Sequence, residues 1–162
     1  MVTPAADFRA LAGAVPDPEL PVLTLAELGV LRNVRVDDGP HVTVDLTPTY
    51  LGCPAVETMA DDIRSTLTAH GAASVTVRTV HAPPWSTDDI TPAGRAKLAA
   101  AGIAPPRPHR GGPVLVPLTH PVRCPHCGSA DTELLSRFAS TACKALRRCT
   151  ACREPFDHFK EH

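Results

Sequence analysis

The sequence predicts an α+β fold: a small α-β-β-α-β domain with its helices on one face of a short sheet, followed by a C-terminal cysteine ribbon. Three observations carry this. Short β-rich runs alternate with helix-periodic runs across the first 80 residues. Ala104 to Pro121 contains six prolines, with Gly111-Gly112 in the middle, and can be neither a helix nor a central strand. Beyond it stand two C-x-x-C knuckles, Cys124/Cys127 and Cys149/Cys152. The expected division is therefore residues 1–103, a stiff linker over 104–121, and a ribbon over 122–162.

Taken in order, Phe8, Leu11, Ala12 and Val15 share one face of a short amphipathic helix over Ala5 to Val15. Pro16-Asp17-Pro18-Glu19-Leu20-Pro21 stops it and forms an acidic, extended or turning segment. Thr24 and Glu27 have capping-box spacing around one helical turn, which Gly29 ends. Val30 to Val36 and His41 to Leu46 are strands joined by a turn at Asp37-Asp38-Gly39-Pro40. In the second strand Val42, Val44 and Leu46 are expected on one face and Thr43 and Asp45 on the other. A helix follows from Ala55, with Val56, Met59, Ala60, Ile63 and Leu67 as its apolar stripe and Gly71 just past its end. Ser74 to Val80 is the third strand. A last helix runs from about Thr91 to Ala101.

Composition narrows the function classes. The 162-residue chain carries a net charge of −1, so no global field draws it to nucleic acid or to an anionic membrane. No apolar run is long enough to span a bilayer, and the first residues lack the pattern of a signal peptide. A cytoplasmic location is the expectation. Six cysteines in a reducing compartment argue for metal or chemistry rather than disulfides.

One cysteine stands apart. Thr47-Pro48-Thr49-Tyr50-Leu51-Gly52-Cys53-Pro54 joins the second strand to the main helix. Pro54 reads as the first helical residue, which places Cys53 at the N-cap, facing unpaired N–H groups and the positive end of the helix dipole. A thiolate is expected to be favoured there, as a metal ligand or nucleophile. The alternative is a small buried hydrophobe under a turn. Trp85, the single tryptophan, lies in the loop after the third strand. It either covers the core rim or brings that loop beside Cys53; a parallel third strand would put both loops at one end of the sheet.

The two knuckles, with residues 128–148 between them, can aim four thiolates at one point. Such a set suits structural Zn²⁺, with a rubredoxin-like iron site as the competitor. The ribbon has too little apolar material to fold without its metal. His126 is surplus to a full ligand set and is expected to be exposed. Cys143 is also surplus, either a buried spacer or a reactive thiol made acidic by Lys144, Arg147 and Arg148. Those cations are not accompanied by a series of aromatics, so a nucleic-acid ribbon is the weaker reading.

Several of these residues resemble known families. Asp17-Pro18-Glu19, the run Leu25 to Leu31, Leu46-Thr47-Pro48-Thr49 before Gly52-Cys53-Pro54, and Pro83-Pro84-Trp85-Ser86 are similar to the iron–sulfur cluster assembly factor family that includes SufT. Ser140 to Ala145 and Glu154 to Lys160 narrow the likeness to the PaaD family of accessory proteins in the bacterial phenylacetyl-CoA epoxidase system. Ser86-Thr87-Asp88 departs from the Thr-Pro-Asp common after the tryptophan in that group. The resemblance implies a non-catalytic factor in aerobic phenylacetate breakdown that matures an iron or iron–sulfur centre. Its partners would be the epoxidase reductase or oxygenase subunits, or iron–sulfur carrier proteins. The key cysteine maps to Cys53, the acidic motif to Asp17 and Glu19, and the supporting motif residues to Thr49 and Trp85.

One thiolate cannot hold a cluster alone. It can supply one ligand to a cluster shared with a second subunit, as in a homodimer, or with the recipient. Asp17 and Glu19 either order the Cys53 loop, meet a basic partner surface, or form a plain solvated turn. The competing functions are a thiol enzyme using Cys53 and a ribbon that binds nucleic acid. The nearest histidines in sequence, His41, His70 and His81, show no base-orienter arrangement for the former.

Overall fold

The structure, a computed structural model, describes residues 5–37, 41–108 and 121–161. The chain forms two compact units, Met1–Gly94 and Arg95–His162.

In the first unit α1 (Ala5–Ala14) buries Phe8 and Ala12, and Val15 just beyond its end is buried with them. The chain then doubles back, and Pro16 bridges to Thr24. Helix α2 (Leu25–Leu28) has the capping box foreseen from its sequence. Thr24 Oγ1 accepts from Glu27 N–H, and Glu27 Oε2 accepts from Thr24 N–H. Gly29 closes the turn with φ 78°, and a Cβ there would lie 2.3 Å from the Asp89 carbonyl oxygen. Glycine is thus required both for the left-handed backbone and for the close approach of the 86–90 loop.

Strands β1 (Leu31–Val36) and β2 (His41–Leu46) pair antiparallel, and β3 (Ser74–Thr79) joins β2 in parallel after the crossover through α3 (Ala55–Ala69). The turn residues 38–40 lie outside the described part. The sheet order is β1-β2-β3. Helix α1 packs on β1, α3 packs on β3, and the two helices touch each other. The buried stripe of α3 is Ala55, Met59, Ala60, Ile63 and Leu67. Beyond its C-cap, Gly71 N–H donates to Thr68 O and Ala72 N–H to Leu67 O.

The alternation expected in β2 is not an inside–outside alternation. Thr43 and Asp45 are buried along with Val42, Val44 and Leu46. β2 is the central strand, and long neighbours cover its polar face. Arg78 Nε donates to Asp45 Oδ1 at 2.8 Å, Arg35 lies 3.8 Å from the other carboxylate oxygen, and Thr43 Oγ1 donates to Asp37.

The second unit contains most of α4 (Pro92–Ala100) and a four-stranded sheet ordered β4-β7-β6-β5. β5 (Thr132–Ser136), β6 (Lys144–Cys149) and β7 (Pro155–Phe159) form the ribbon, antiparallel throughout. The two-residue strand β4 (Ile103–Ala104) adds to β7 in parallel. Residues 109–120, most of the proline-rich stretch, lie outside the described part. Among the described residues no helix is long and apolar enough to cross a membrane.

Candidate functional site

Five of the six cysteines fall into two sulfur environments, one in each unit. In the ribbon, the Sγ atoms of Cys124, Cys127, Cys149 and Cys152 all lie within 4.8 Å of one another. Cys124–Cys152 and Cys127–Cys149 are 3.7 and 3.5 Å apart. A tetrahedron with metal–sulfur bonds of about 2.3 Å has an edge of about 3.8 Å, so the donor set fits such an ion. Each knuckle ends on a left-handed residue, Gly128 at φ 77° and Arg153 at φ 67°. Backbone N–H groups of Cys152 and Ala151 point at Cys149 and pull its pKa to about 7. At Cys152 the Glu154 N–H lowers the pKa, but desolvation and the neighbouring sulfurs outweigh it and push it to about 12. Four thiolates this close repel one another unless a cation sits among them. Cys124 and Cys149 pack with Ala104 and Phe156, so this unit's small core is built against the metal site.

Neither surplus side chain near the ribbon joins this set. His126 is exposed, and its ring lies over Gly102. Cys143 is buried, with Thr141 Oγ1 3.1 Å from its sulfur. Lys144 is buried too and pairs with Asp157 at 3.0 Å. The flanking cation expected to activate Cys143 is therefore engaged by a carboxylate of the next strand.

The second environment is Cys53. Because β2 and β3 run parallel, residues 47–54 and 81–85 leave the same end of the sheet. They meet there: Thr47 to Leu51 line a cavity of about 110 Å³ together with His81, Pro84 and Trp85. Trp85 is buried and donates its indole N–H to Leu28 O at 2.9 Å, so it is a fixed wall rather than a loose cover. Thr47 is 1% exposed, and its Oγ1 has no hydrogen-bond partner among the described residues. Thr49 and Tyr50 are half-buried, while Leu51 stands 82% exposed at the tip.

Cys53 itself is half-buried. Helix α3 is assigned from Ala55 with Pro54 at the cap, but Pro54 already has helical angles (φ −68°, ψ −19°), and Val56 N–H donates to Cys53 O. The sulfur does face the helix start, and the Ala55 N–H acts on it. The expected acidification does not follow. Burial raises its pKa, and the carboxylates of Glu19 and Asp17 raise it further, against the lowering effects of Ala55 N–H and Tyr50. The fold therefore favours the thiol over the thiolate at Cys53.

The acidic segment is thus in electrostatic reach of Cys53, and Asp17 is not a solvated turn residue. It is 4% exposed, and its Oδ1 accepts from the backbone N–H groups of Glu19 (2.9 Å) and Leu20 (2.7 Å). Burial nonetheless raises its pKa above the usual carboxylate value. Sequence reasoning missed two members of this site, Thr47 and the exposed Leu51. Both lie in the quoted motif, but only burial separates them from their neighbours.

Comparison with known proteins agrees with this layout. Residues 8–79 match the family described as iron–sulfur cluster assembly protein, and residues 113–160 match the PaaD zinc beta ribbon domain. The crystal structure of a domain of unknown function, DUF59, from Bacillus anthracis superposes with a TM-score of 0.54 at 26% identity. That match covers 58% of this chain and 90% of the other. The fold and site define an assembly-factor domain joined to a four-cysteine metal-binding ribbon. The chain belongs to the PaaD family: it is 48% identical, over 95% of its length and 91% of the relative's, to one component of the "Putative 1,2-phenylacetyl-CoA epoxidase" of Escherichia coli K12. A stretch of 73 residues, 44% of this chain, is also 37% identical to "Fe-S protein maturation auxiliary factor SufT" of Staphylococcus aureus USA300, of which it covers 82%.

Proposed function

We propose that this protein is a non-catalytic maturation factor that serves a phenylacetyl-CoA epoxidase system, offering Cys53 as a transient ligand to iron or an iron–sulfur cluster in transit to a reductase or oxygenase subunit. The carrying observation is that the half-buried Cys53 thiol at the start of α3 lies in electrostatic reach of the carboxylates of Glu19 and Asp17. Burial and the two carboxylates make proton loss unfavourable, but the same carboxylates attract a cation. A metal at this point exchanges with the thiol proton, so binding is weak at low pH and reversible at neutral pH. One ligand plus flanking charge holds cargo loosely, which suits handing it on. The exposed Leu51, two positions before Cys53, gives a recipient a contact.

The four-cysteine set holds Zn²⁺ in this reading and keeps the ribbon folded. Residues 1–103 then carry the cargo site, 104–121 act as a linker, and 122–162 are the metal-stapled module.

The test uses cells lacking this protein. Cys53→Ser is expected to fold and to keep one zinc per chain, yet to leave the epoxidase reductase or oxygenase short of iron. Full iron loading of those partners by the variant would overturn the role given to Cys53. Metal analysis of anaerobically purified protein separates fixed zinc from labile iron.

A further inference from the structure

The second unit contains a cleft of about 520 Å³ whose lining includes none of the knuckle cysteines. Ala104, Pro105, Pro106 and Val122 form its apolar wall, and Arg95, Arg107 and Arg123 converge on it. Glu161 is the one carboxylate among the described lining residues. The guanidiniums are held in place by backbone carbonyls. Arg107 donates to Pro121 O, Arg95 to Pro106 O, and Arg123 to Gly128 O at 3.1 Å. Each bond uses one of the five N–H donors of a guanidinium, so at Arg107 and Arg123 most of the fork is left for another acceptor. His158 lies in the wall, 6% exposed. Its pKa is lowered by burial and by the nearby Arg147 and Arg107 against the opposing pull of Glu161.

Among the described lining residues the guanidiniums of Arg107 and Arg123 face one carboxylate, Glu161, and this leaves a positive excess that an anion would neutralise. A cavity of roughly 300–1,000 Å³ with apolar walls and a few convergent charges suits a small molecule. We propose that this cleft binds a small phosphate ester of about nucleoside-diphosphate size, its phosphates on Arg107 and Arg123 and its apolar body on the proline wall.

The test is calorimetric titration of the full-length, metal-loaded chain with ADP and with adenosine at low salt, read in parallel by the His158 ring resonances. ADP is expected to bind and to raise the His158 pKa, because its charge offsets Arg147 and Arg107; adenosine is expected not to bind. Arg107→Ala with Arg123→Ala should weaken ADP by about tenfold or more. Glu161→Gln should tighten it by about two- to fivefold, a gain that loss of folding cannot mimic. Circular dichroism and zinc content check the fold of each variant. Absence of both heat and ring shifts with ADP, or adenosine binding as tightly as ADP, overturns the proposal. Displacement of ADP by hexaglutamate at lower concentration overturns it as well, since the cleft would then be a dock for an acidic protein segment.

Discussion

The indole N–H of Trp85 donates to the carbonyl of Leu28 across 2.9 Å, joining residues 57 positions apart. The bond satisfies a carbonyl at the end of a one-turn helix and fixes Trp85 as a wall of the cavity that it shares with Thr47 to Leu51. Trp85→Phe removes the donor, leaves a buried carbonyl without it and opens a void. The expected loss is about 1–3 kcal/mol in urea unfolding followed by far-UV circular dichroism. Unchanged stability would mean that Leu28 O finds another donor.

Asp17 gives a pH-dependent prediction. Its folded pKa is raised, so the neutral form is favoured by the fold. Whatever stability this provides is fully present below the unfolded pKa and is lost as pH rises through the folded value. Asp17→Asn keeps the Oδ1 acceptor for Glu19 and Leu20 without the charge. It should be at least as stable as wild type at pH 7, with that advantage fading as pH falls into the acid range. Asp17→Ala orphans two N–H groups and should cost about 1–3 kcal/mol at either pH. Thermal melts across pH test both.

Glu19 is the adjustable charge at Cys53. Glu19→Gln should lower the thiol pKa and raise the iodoacetamide labelling rate at pH 8 by about two- to threefold. Ferrous-iron affinity should fall in the same variant, because the charge that repels thiolate formation also attracts the cation. If labelling and iron binding both strengthened, the carboxylate would not be acting as proposed.

At the second knuckle, Arg153 holds a positive φ where the first knuckle has Gly128. Arg153→Gly relieves about 1 kcal/mol of left-handed strain, offset in part by the greater freedom of glycine when unfolded. The ribbon should show an equal or slightly higher melting temperature and unchanged zinc affinity.

Removing the metal should separate the two units. With a strong chelator, or in Cys149→Ser, amide exchange protection is expected to vanish from β5, β6 and β7 while β2 and α3 keep theirs. Loss of protection in both units together would show that the ribbon metal supports the whole chain.

Much of the local architecture was legible from short-range patterns. The Thr24–Glu27 capping box, the glycines after α2 and α3, the β1–β2 pairing and the four-cysteine knuckles are signals confined to a few positions, and each forms as read. The charge state of Cys53 was misread. The helix start was visible in Gly52-Cys53-Pro54, whereas burial comes only with the fold and the two carboxylates that add to it lie more than thirty positions earlier. The solvated reading of Asp17 failed for a related reason: its burial depends on the return of the chain to Thr24.

The sequence by itself determined which elements form and which sulfurs are grouped, because helix caps, alternation and C-x-x-C turns act between residues a few positions apart. The tertiary structure alone decided which polar groups lose water: Asp45 under Arg78, Asp17 beneath its own loop, and Thr47 and Trp85 around one cavity. Desolvation and electrostatic fields depend on distance in space, and the folded chain brings together groups that the linear order keeps far apart.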